Sequence, residues 1–285
     1  MYKLTITNKI KEEYKKYLKK ILLTSKTKKF NASSKRFFNF LKNTINVQKR
    51  KDIYELILGN NLNSLISRYG EIYVDKKQYD IYNYVRNIFG YKLVELLNIK
   101  VCPYCNRNYI TNFSNQTTIE LDHFYPKSKY PYLAINIYNL IPVCHTCNHK
   151  KKEKSFKIYP FEKSIDDYFK FEFKGFDYND KLNFLDENRL ILDIDFLADD
   201  VGEWDYKNYI LQNYQNHKDI IAEILKRNEM YPDSRIEELY NQFGGRLFNS
   251  KDELIGLIHC NYIDKKDINK RPLSKLTKDI LEQLK

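Results

Sequence analysis

Apolar side chains recur every three to four positions over most of the N-terminal hundred residues, and this spacing predicts amphipathic helices. The first helix is expected over Asn8–Leu23, and apolar positions within Phe37–Ile45 mark a second one. A third, short helix is expected between an N-cap at Asp52 and a stop at Gly59. The periodicity returns over residues 76–97, so a further helix is predicted there.

Outside the middle of the chain, patterns typical of strands are confined to three short stretches. Residues 1–7 alternate between polar and apolar side chains and predict a short strand, and further strands are predicted at residues 168–173 and 190–196. Helical periodicity dominates the rest of the C-terminal part. The helices predicted there span residues 206–227, 233–242, 251–261 and 273–284.

The middle of the chain differs in character, because helical periodicity disappears over residues 101–156 while Pro, Cys, Asn and His become frequent. We therefore predict a helical N-terminal region over residues 1–100, a small metal-binding module over residues 101–160, and a mostly helical C-terminal region with one or two strands over residues 161–285. The predicted fold class is mainly α with a small α+β module. The outer regions are interpreted as partner-binding or DNA-positioning regions, or as plain scaffold.

The composition indicates a folded chain with a surplus of positive charge. Among 285 residues, 42% are hydrophobic, which is enough for a sizeable core, and 30% are charged. The 49 Lys and Arg residues outnumber the 37 Asp and Glu residues, so the formal net charge is +12. Such a surplus favours binding to polyanions such as DNA, although it also serves solubility. Charge therefore permits a nucleic-acid partner without identifying one.

Neither a secretory signal nor a membrane span is evident in the sequence. The first twenty residues are rich in Lys and lack a continuous apolar segment. No stretch approaches the roughly 18 consecutive apolar residues that cross a bilayer. We therefore expect a cytoplasmic protein without membrane contact. In a reducing compartment, cysteines serve metal binding or catalysis more often than disulfides.

Four of the five cysteines form two C-x-x-C pairs, Cys102 with Cys105 and Cys144 with Cys147. A two-residue spacer allows both sulfurs of a pair to face one ion, and four thiolates satisfy the tetrahedral preference of Zn²⁺. Such a saturated site leaves no position for a reacting water, so the predicted zinc is structural. The alternative is four unrelated buried cysteines. His145, inside the second pair, is not needed as a ligand.

Groups suited to phosphodiester hydrolysis lie between and just after these pairs. Asp122 and Asn148 offer oxygen ligands of the kind that Mg²⁺ or Mn²⁺ prefers, and such a cation neutralises charge on a phosphate. His123 offers an imidazole that can take a proton from water near neutral pH. A strand over Glu120–Phe124 and a helix starting near Asn148 are predicted, with the zinc clamping the helix start against the hairpin.

The run C-P-Y-C … L-D-H-F-Y-P-K-S … Y-N-L-I-P-V-C-H-T-C-N-H-K-K resembles the motif of HNH endonucleases, also called ββα-metal or His-Me finger nucleases, in their zinc-bearing form. The resemblance covers about a fifth of the chain. It implies a ββα-metal module with His123 as general base, Asp122 and Asn148 as ligands of the catalytic metal, and Asn139 as the residue that orients the loop carrying the base. The chain departs from the usual motif at its last, metal-binding position, which is Asn148 here. His149 directly follows Asn148 and is therefore an alternative ligand of the metal.

The chain also resembles the HNH effectors of bacterial phage-defence systems, such as the HNH partner in Septu-type systems. The segments that carry this resemblance are D-H-F-Y-P-K-S-K-Y-P and N-L-I-P in the module and R-P-L-S-K-L at residues 271–276. The resemblance implies a role in antiviral defence and an ATPase partner protein.

Basic residues bracket the predicted site on both sides. We predict that Lys127, Lys150 and Lys151 contact DNA phosphates, the alternative being a solvated helix face. Glu120 lies two residues before Asp122 on the predicted strand, so the two side chains share a face. We interpret Glu120 as a surface residue rather than as an auxiliary acid.

Two classes of function are compatible with the sequence. The first is a metal-dependent DNA endonuclease, or an RNase with the same centre, since the chemistry acts on the phosphate. The second is a non-catalytic zinc module that binds nucleic acid or a protein. The cysteines fit both classes, whereas Asp122, His123, Asn139 and Asn148 fit only the first. Tyr104, inside the first cysteine pair, is assigned to packing.

Overall fold

In the computed structural model, the described residues are 3–24, 28–113, 116–117, 119–174, 189–197 and 204–285. Helices predominate among them, with three small antiparallel sheets, so the predicted fold class is confirmed. Buried apolar side chains from the N-terminal, middle and C-terminal regions belong to one continuous core. No helix in these ranges combines the length and the hydropathy that crossing a bilayer requires.

The described N-terminal helices are α1 (Asn8–Thr24), α2 (Lys28–Asn43), α3 (Arg50–Leu58), α4 (Leu62–Tyr69) and α5 (Ile81–Leu97). The short α4 was missed, and two local predictions were wrong. Asp52 lies in the first turn of α3, whose N-cap is Lys49. Residues 3–7 form no strand, because the N–H of Leu4 bonds the carbonyl of Pro160 at 2.8 Å instead of a neighbouring strand.

Helix α5 supports the middle of the chain from inside the molecule. Its buried residues include Tyr82 and Phe89, and the Phe89 ring lies 4.7 Å from the Tyr14 ring of α1. Towards the metal-binding module, the Tyr82 hydroxyl donates to the carbonyl of Leu121 at 2.8 Å. The N-terminal helices and the module therefore share a buried boundary along α5.

The module is a hairpin followed directly by a helix. A short ladder joins β1 (Asn112–Phe113) to β2 (Gln116–Thr117), and β3 (Ile119–His123) pairs antiparallel with β4 (Leu140–Cys144). Helix α6 (His145–Lys151) begins at the residue after β4. Strand β4 is buried along its whole length, which accounts for its apolar run. The predicted strand and the ββα arrangement are thus present. The helix is present as well, but it begins at His145 rather than near Asn148.

The C-terminal elements are β5 (Phe169–Lys174), β6 (Ile191–Phe196), α7 (Tyr206–Tyr214), α8 (Lys218–Met230), α9 (Asp233–Phe243), α10 (Lys251–Ile258) and α11 (Ser274–Gln283). Both predicted strands are confirmed, and they pair antiparallel with each other. The single helix predicted over 206–227 is two helices instead. Tertiary contacts hold the turn between them: Gln215 donates to the Leu192 carbonyl at 3.2 Å, and His217 accepts from Arg107 at 2.9 Å.

Buried charges anchor α11 to the rest of the molecule. Lys275 is fully buried, and its Nζ donates to Asp166 Oδ1 at 3.2 Å, to Asp279 Oδ2 at 2.8 Å and to the Phe169 carbonyl at 2.6 Å. The backbone N–H of Lys275 donates to Asn106 Oδ1 at 2.9 Å. Because Asn106 follows the first cysteine pair, α11 ties the C-terminal region to the metal-binding module.

Candidate active site

The four cysteines of the two C-x-x-C pairs converge on one buried point. Their Sγ atoms lie within 4.8 Å of one another, and Cys105 Sγ is 4.0 Å from Cys144 Sγ. Tetrahedral thiolates with Zn–S bonds of about 2.3 Å stand roughly 3.8 Å apart, so the cluster has the size that zinc requires. The N–H groups of Arg107 and Cys144 and the Asn108 amide point at sulfurs, as donors to thiolates do. The donor set fits a structural zinc ion.

Tyr104 connects this cluster to Asp122. The side chain is fully buried, and its hydroxyl donates to Asp122 Oδ2 at 2.7 Å. The backbone carbonyl of Tyr104 accepts from the hydroxyl of Tyr206 on α7, which holds the cysteine pair from the other side. The predicted packing role of Tyr104 was therefore incomplete, because the ring packs while the hydroxyl binds a carboxylate. Its position between two cysteines is the only signal of this role in the sequence.

Lys151 forms a buried ion pair with Asp122. Its side chain is 0% exposed, Nζ lies 3.0 Å from Asp122 Oδ2, and Nζ also donates to the His123 carbonyl at 3.1 Å. Burial raises the pKa of Asp122 above its usual range, and the Lys151 ammonium and the Tyr104 hydroxyl oppose that shift. The sequence suggested that Lys151 contacts DNA phosphates, but the structure turns this ammonium group inward, away from the surface.

His123, the last residue of β3, is held in a defined tautomer. Its ring packs against Tyr82 with centroids 4.4 Å apart, and its Nε2 lies 2.9 Å from the carbonyl oxygen of Ala134. A carbonyl oxygen only accepts, so in the neutral ring Nε2 carries the proton and Nδ1 the free lone pair. Burial, and then the charge of Lys127, lower the pKa of His123 well below its usual range. The imidazole is therefore neutral at pH 7, as a proton acceptor must be.

Asn139 holds the segment that follows His123. Its Oδ1 accepts from the backbone N–H of Tyr125 at 2.8 Å, and its Nδ2 donates to the carbonyls of Tyr125 at 3.0 Å and Leu133 at 3.2 Å. The side chain is fully buried, and both ends of its amide are bound to backbone. Asn139 therefore lies behind the base-bearing segment, where it can fix the backbone but cannot touch a substrate.

Asn148 and Glu120 face each other between α6 and β3. Asn148 Nδ2 donates to Glu120 Oε2, and Glu120 Oε1 lies 2.9 Å from Nδ1 of His145. Glu120 is thus bound by two residues one turn apart on α6, which the interpretation as a plain surface residue did not anticipate. His145 is directed to this carboxylate and not to the cysteines. The alternative ligand His149 is exposed, with its ring centroid 5.8 Å from that of His145.

One cleft of about 420 Å³ collects most of the predicted site. The predicted residues that line it are Asp122, His123, Lys127, Asn148 and the alternative ligand His149. Lys150 is exposed but does not line the cleft. Tyr82 and Arg86 of α5 also line it, and the sequence analysis missed both. No local pattern in α5 identifies them, because their place in the cleft depends on the packing of α5 against β3.

The model of the HNH endonuclease family matches residues 101–154, which include the cysteine cluster, the hairpin strands β3 and β4, and α6. A curated relative, the Septu protein PtuB of Bacillus thuringiensis, is 41% identical over 59 residues. That similarity covers 21% of this chain and 21% of the relative, so the chain matches about a fifth of the relative's length. No solved structure matches the chain. Residues 101–154 thus match the HNH endonuclease domain, in agreement with the resemblance seen in the sequence.

Proposed function

We propose that this chain is a metal-dependent endonuclease that hydrolyses phosphodiester bonds in DNA. The observation that carries the proposal is the meeting of Asp122, His123 and Asn148 in one cleft of the segment that HNH endonucleases match. A neutral imidazole beside two oxygen donors is the set that cation-assisted hydrolysis of a phosphate requires. A non-catalytic zinc module has no need of this set.

Asp122 and Asn148 would hold the catalytic Mg²⁺ or Mn²⁺. Hard divalent cations take oxygen ligands, and the Asp122 carboxylate keeps free acceptor positions beside its bonds from Tyr104 and Lys151. Among the described residues, no donor binds Asn148 Oδ1, so this oxygen is open to a ligand. When bound, the cation supplies positive charge that stabilises the phosphate and the leaving oxygen.

His123 is the general base in this proposal. Its Nδ1 takes a proton from a water molecule, whose oxygen forms a bond to phosphorus while the bond between phosphorus and the 3′ oxygen breaks. The 3′ oxygen leaves with the bonding electrons and is protonated by solvent, so the products carry a 5′-phosphate and a 3′-hydroxyl. The contact between Nε2 and the Ala134 carbonyl keeps the ring in place and stabilises the imidazolium that forms. Asn139 orients the segment that carries the base.

Charge and similarity support the proposed DNA substrate and the proposed biological setting. Lys127 lines the cleft and Lys150 is exposed on α6, so we assign both to phosphate contacts. The net charge of +12 favours a polyanionic substrate. The similarity to a Septu protein supports a role as an effector of phage defence. An ATPase partner is what the resemblance of the sequence to such effectors implies.

The test is cleavage of supercoiled plasmid by the zinc-loaded full chain in Mg²⁺ or Mn²⁺, with single-stranded RNA as a parallel substrate. We expect nicked or linear plasmid, no cleavage with chelator, and a loss of at least about 100-fold in rate for His123→Ala, the range that a general base contributes. His217→Ala is the matched control, because this histidine binds Arg107 outside the cleft and should leave the rate unchanged.

Each other outcome has a definite meaning. Equal cleavage by His123→Ala and the wild-type chain would refute the assignment of the base. If the wild-type chain and His123→Ala both bound DNA tightly and neither cleaved it, the result would favour the non-catalytic zinc module. Cleavage of RNA in preference to plasmid would identify the same centre as an RNase.

A further inference from the structure

The carboxylate of Glu120 is bound on both of its oxygens by α6. Oε1 lies 2.9 Å from His145 Nδ1, and Oε2 accepts from the side-chain amide of Asn148. The Glu120 side chain is 24% exposed, so solvent screens the interaction only in part. Two donors one helical turn apart fix this carboxylate against the start of α6, directly beside the cleft that Glu120, Asp122 and Asn148 line together.

The bond between Glu120 and Asn148 determines which end of the amide enters the cleft. An ionised carboxylate only accepts hydrogen bonds, so the NH₂ group of Asn148 has to face Glu120. The Oδ1 atom is then turned away from Glu120, and no described residue donates to it. A flipped amide would present NH₂ to the cation. The lone pair of an amide nitrogen is delocalised into the carbonyl, and hard divalent cations take oxygen ligands instead.

We propose that Glu120 is a positioning residue, which sets the amide of Asn148 so that Oδ1 is presented to the divalent cation. This inference rests on the proposed function, since it assigns to Asn148 the role of a metal ligand. Outer groups that orient metal ligands in this way typically change metal affinity by 10–100-fold. Glu120 therefore acts through Asn148 and need not touch the cation or the phosphate.

The test is Mn²⁺ binding to the zinc-loaded full chain, measured by the loss of the free Mn²⁺ electron paramagnetic resonance signal. We expect Glu120→Ala to weaken binding by about 10- to 100-fold. Glu120→Gln should stay within about threefold of the wild-type affinity, because its amide oxygen still accepts from Asn148. In cleavage, Glu120→Ala should need more Mn²⁺ for half-maximal rate, while the rate at saturating Mn²⁺ changes little.

Control variants separate orientation from charge and from folding. Glu153→Ala removes a carboxylate from the same cleft without touching Asn148 and should change Mn²⁺ affinity by less than Glu120→Ala does. Asn148→Ala gives the Mn²⁺ affinity of a chain that lacks the Asn148 side chain as a metal ligand. Zinc content and the thermal midpoint of unfolding show that each variant is folded.

Two results would overturn the inference. Wild-type Mn²⁺ affinity in Glu120→Ala would show that Asn148 does not depend on Glu120. A loss in Glu120→Gln as large as in Glu120→Ala would make Glu120 a direct ligand instead. The Mn²⁺ affinities of the wild-type chain and its variants could follow the expected order while the wild-type chain cleaves no nucleic acid. In that case the proposed function would fail and the role of Glu120 would stand.

Discussion

Asp122 receives two buried partners, the Tyr104 hydroxyl and the Lys151 ammonium, and this pairing separates Lys151 from its basic neighbours. Lys150 and Lys152 are exposed, whereas Lys151 points into the molecule, because α6 turns one face towards the hairpin. A basic run in a sequence therefore mixes surface charge with a charge that has a structural partner. Within this run of three lysines, only the exposed Lys150 and Lys152 remain candidates for binding phosphates.

Lys151→Ala should lower the free energy of unfolding by about 3–5 kcal/mol, because it leaves the Asp122 carboxylate buried without its counter-charge. Urea unfolding of the zinc-loaded chain measures this change. Lys150→Ala, which removes the preceding exposed lysine, should stay within about 0.5 kcal/mol of wild type. Equal stability of the two variants would show that the ion pair does not compensate a buried charge.

At the scale of elements, the hairpin and α6 are too short to be stable by themselves. Strands β3 and β4 have 5 residues each and α6 has 7, and such isolated elements are marginal in water. Cys144 ends β4 and Cys147 lies in α6, while Cys102 and Cys105 precede the hairpin. A zinc ion on all four sulfurs would therefore join the end of the strand, the start of the helix and the entrance of the module.

Cys102→Ser should remove bound zinc and lower the thermal midpoint of unfolding at the same time, because metal binding and folding of such a module are coupled. Zinc stoichiometry by atomic emission and thermal unfolding by circular dichroism are the two measurements. Cys260→Ser is the matched control, since Cys260 is exposed and lies outside the cluster. Retention of one zinc per chain by Cys102→Ser would contradict the four-sulfur assignment.

At the scale of the whole molecule, the metal-binding module is enclosed by the two helical regions. Tyr82 of α5 packs on His123 from one side, and Tyr206 of α7 binds the backbone of Tyr104 from another. Lys275 of α11 binds Asn106 next to the first cysteine pair. The outer regions thus act as scaffold for the cleft, and their roles in binding DNA or a partner stay predictions.

Acid should destabilise the folded chain in part through His259. This side chain is buried, and among the described residues its Nδ1 has no hydrogen-bond partner. Burial, and then the charge of Arg227, lower the pKa of His259 to about 4. The unfolded chain, with a histidine pKa of about 6.5, therefore binds the proton first. The stability associated with the neutral ring is complete above pH 6.5 and is lost as the pH falls towards 4.

His259→Gln should therefore show a shallower decline of unfolding free energy between pH 6.5 and 4 than the wild-type chain. Urea unfolding at several pH values measures the two slopes. His149→Gln, a change at an exposed position, should follow the wild-type slope. If unfolding free energy fell with pH at the same slope in His259→Gln and in the wild-type chain, His259 would have the same pKa in the folded and the unfolded chain.

The chemistry of the candidate site was largely readable from the sequence, because it is encoded at short spacing. Two C-x-x-C pairs predict four sulfurs around one ion, and those sulfurs do converge. Helical periodicity located most of the described helices, because the spacing of apolar residues within one helix is enough to identify its buried face. The break at residues 215–217 escaped prediction, because contacts to distant residues hold it.

The sequence by itself determined the four cysteines that converge, the residue types of the cleft and the mainly helical fold class. Only the tertiary structure decided that Lys151 is buried, that Tyr104 holds Asp122, and that Glu120 binds Asn148. Their partners lie 29, 18 and 28 positions away along the chain, respectively. Local sequence patterns do not indicate such pairs, because tertiary packing decides which distant groups meet. That packing buries apolar surface and gives each buried charge a partner.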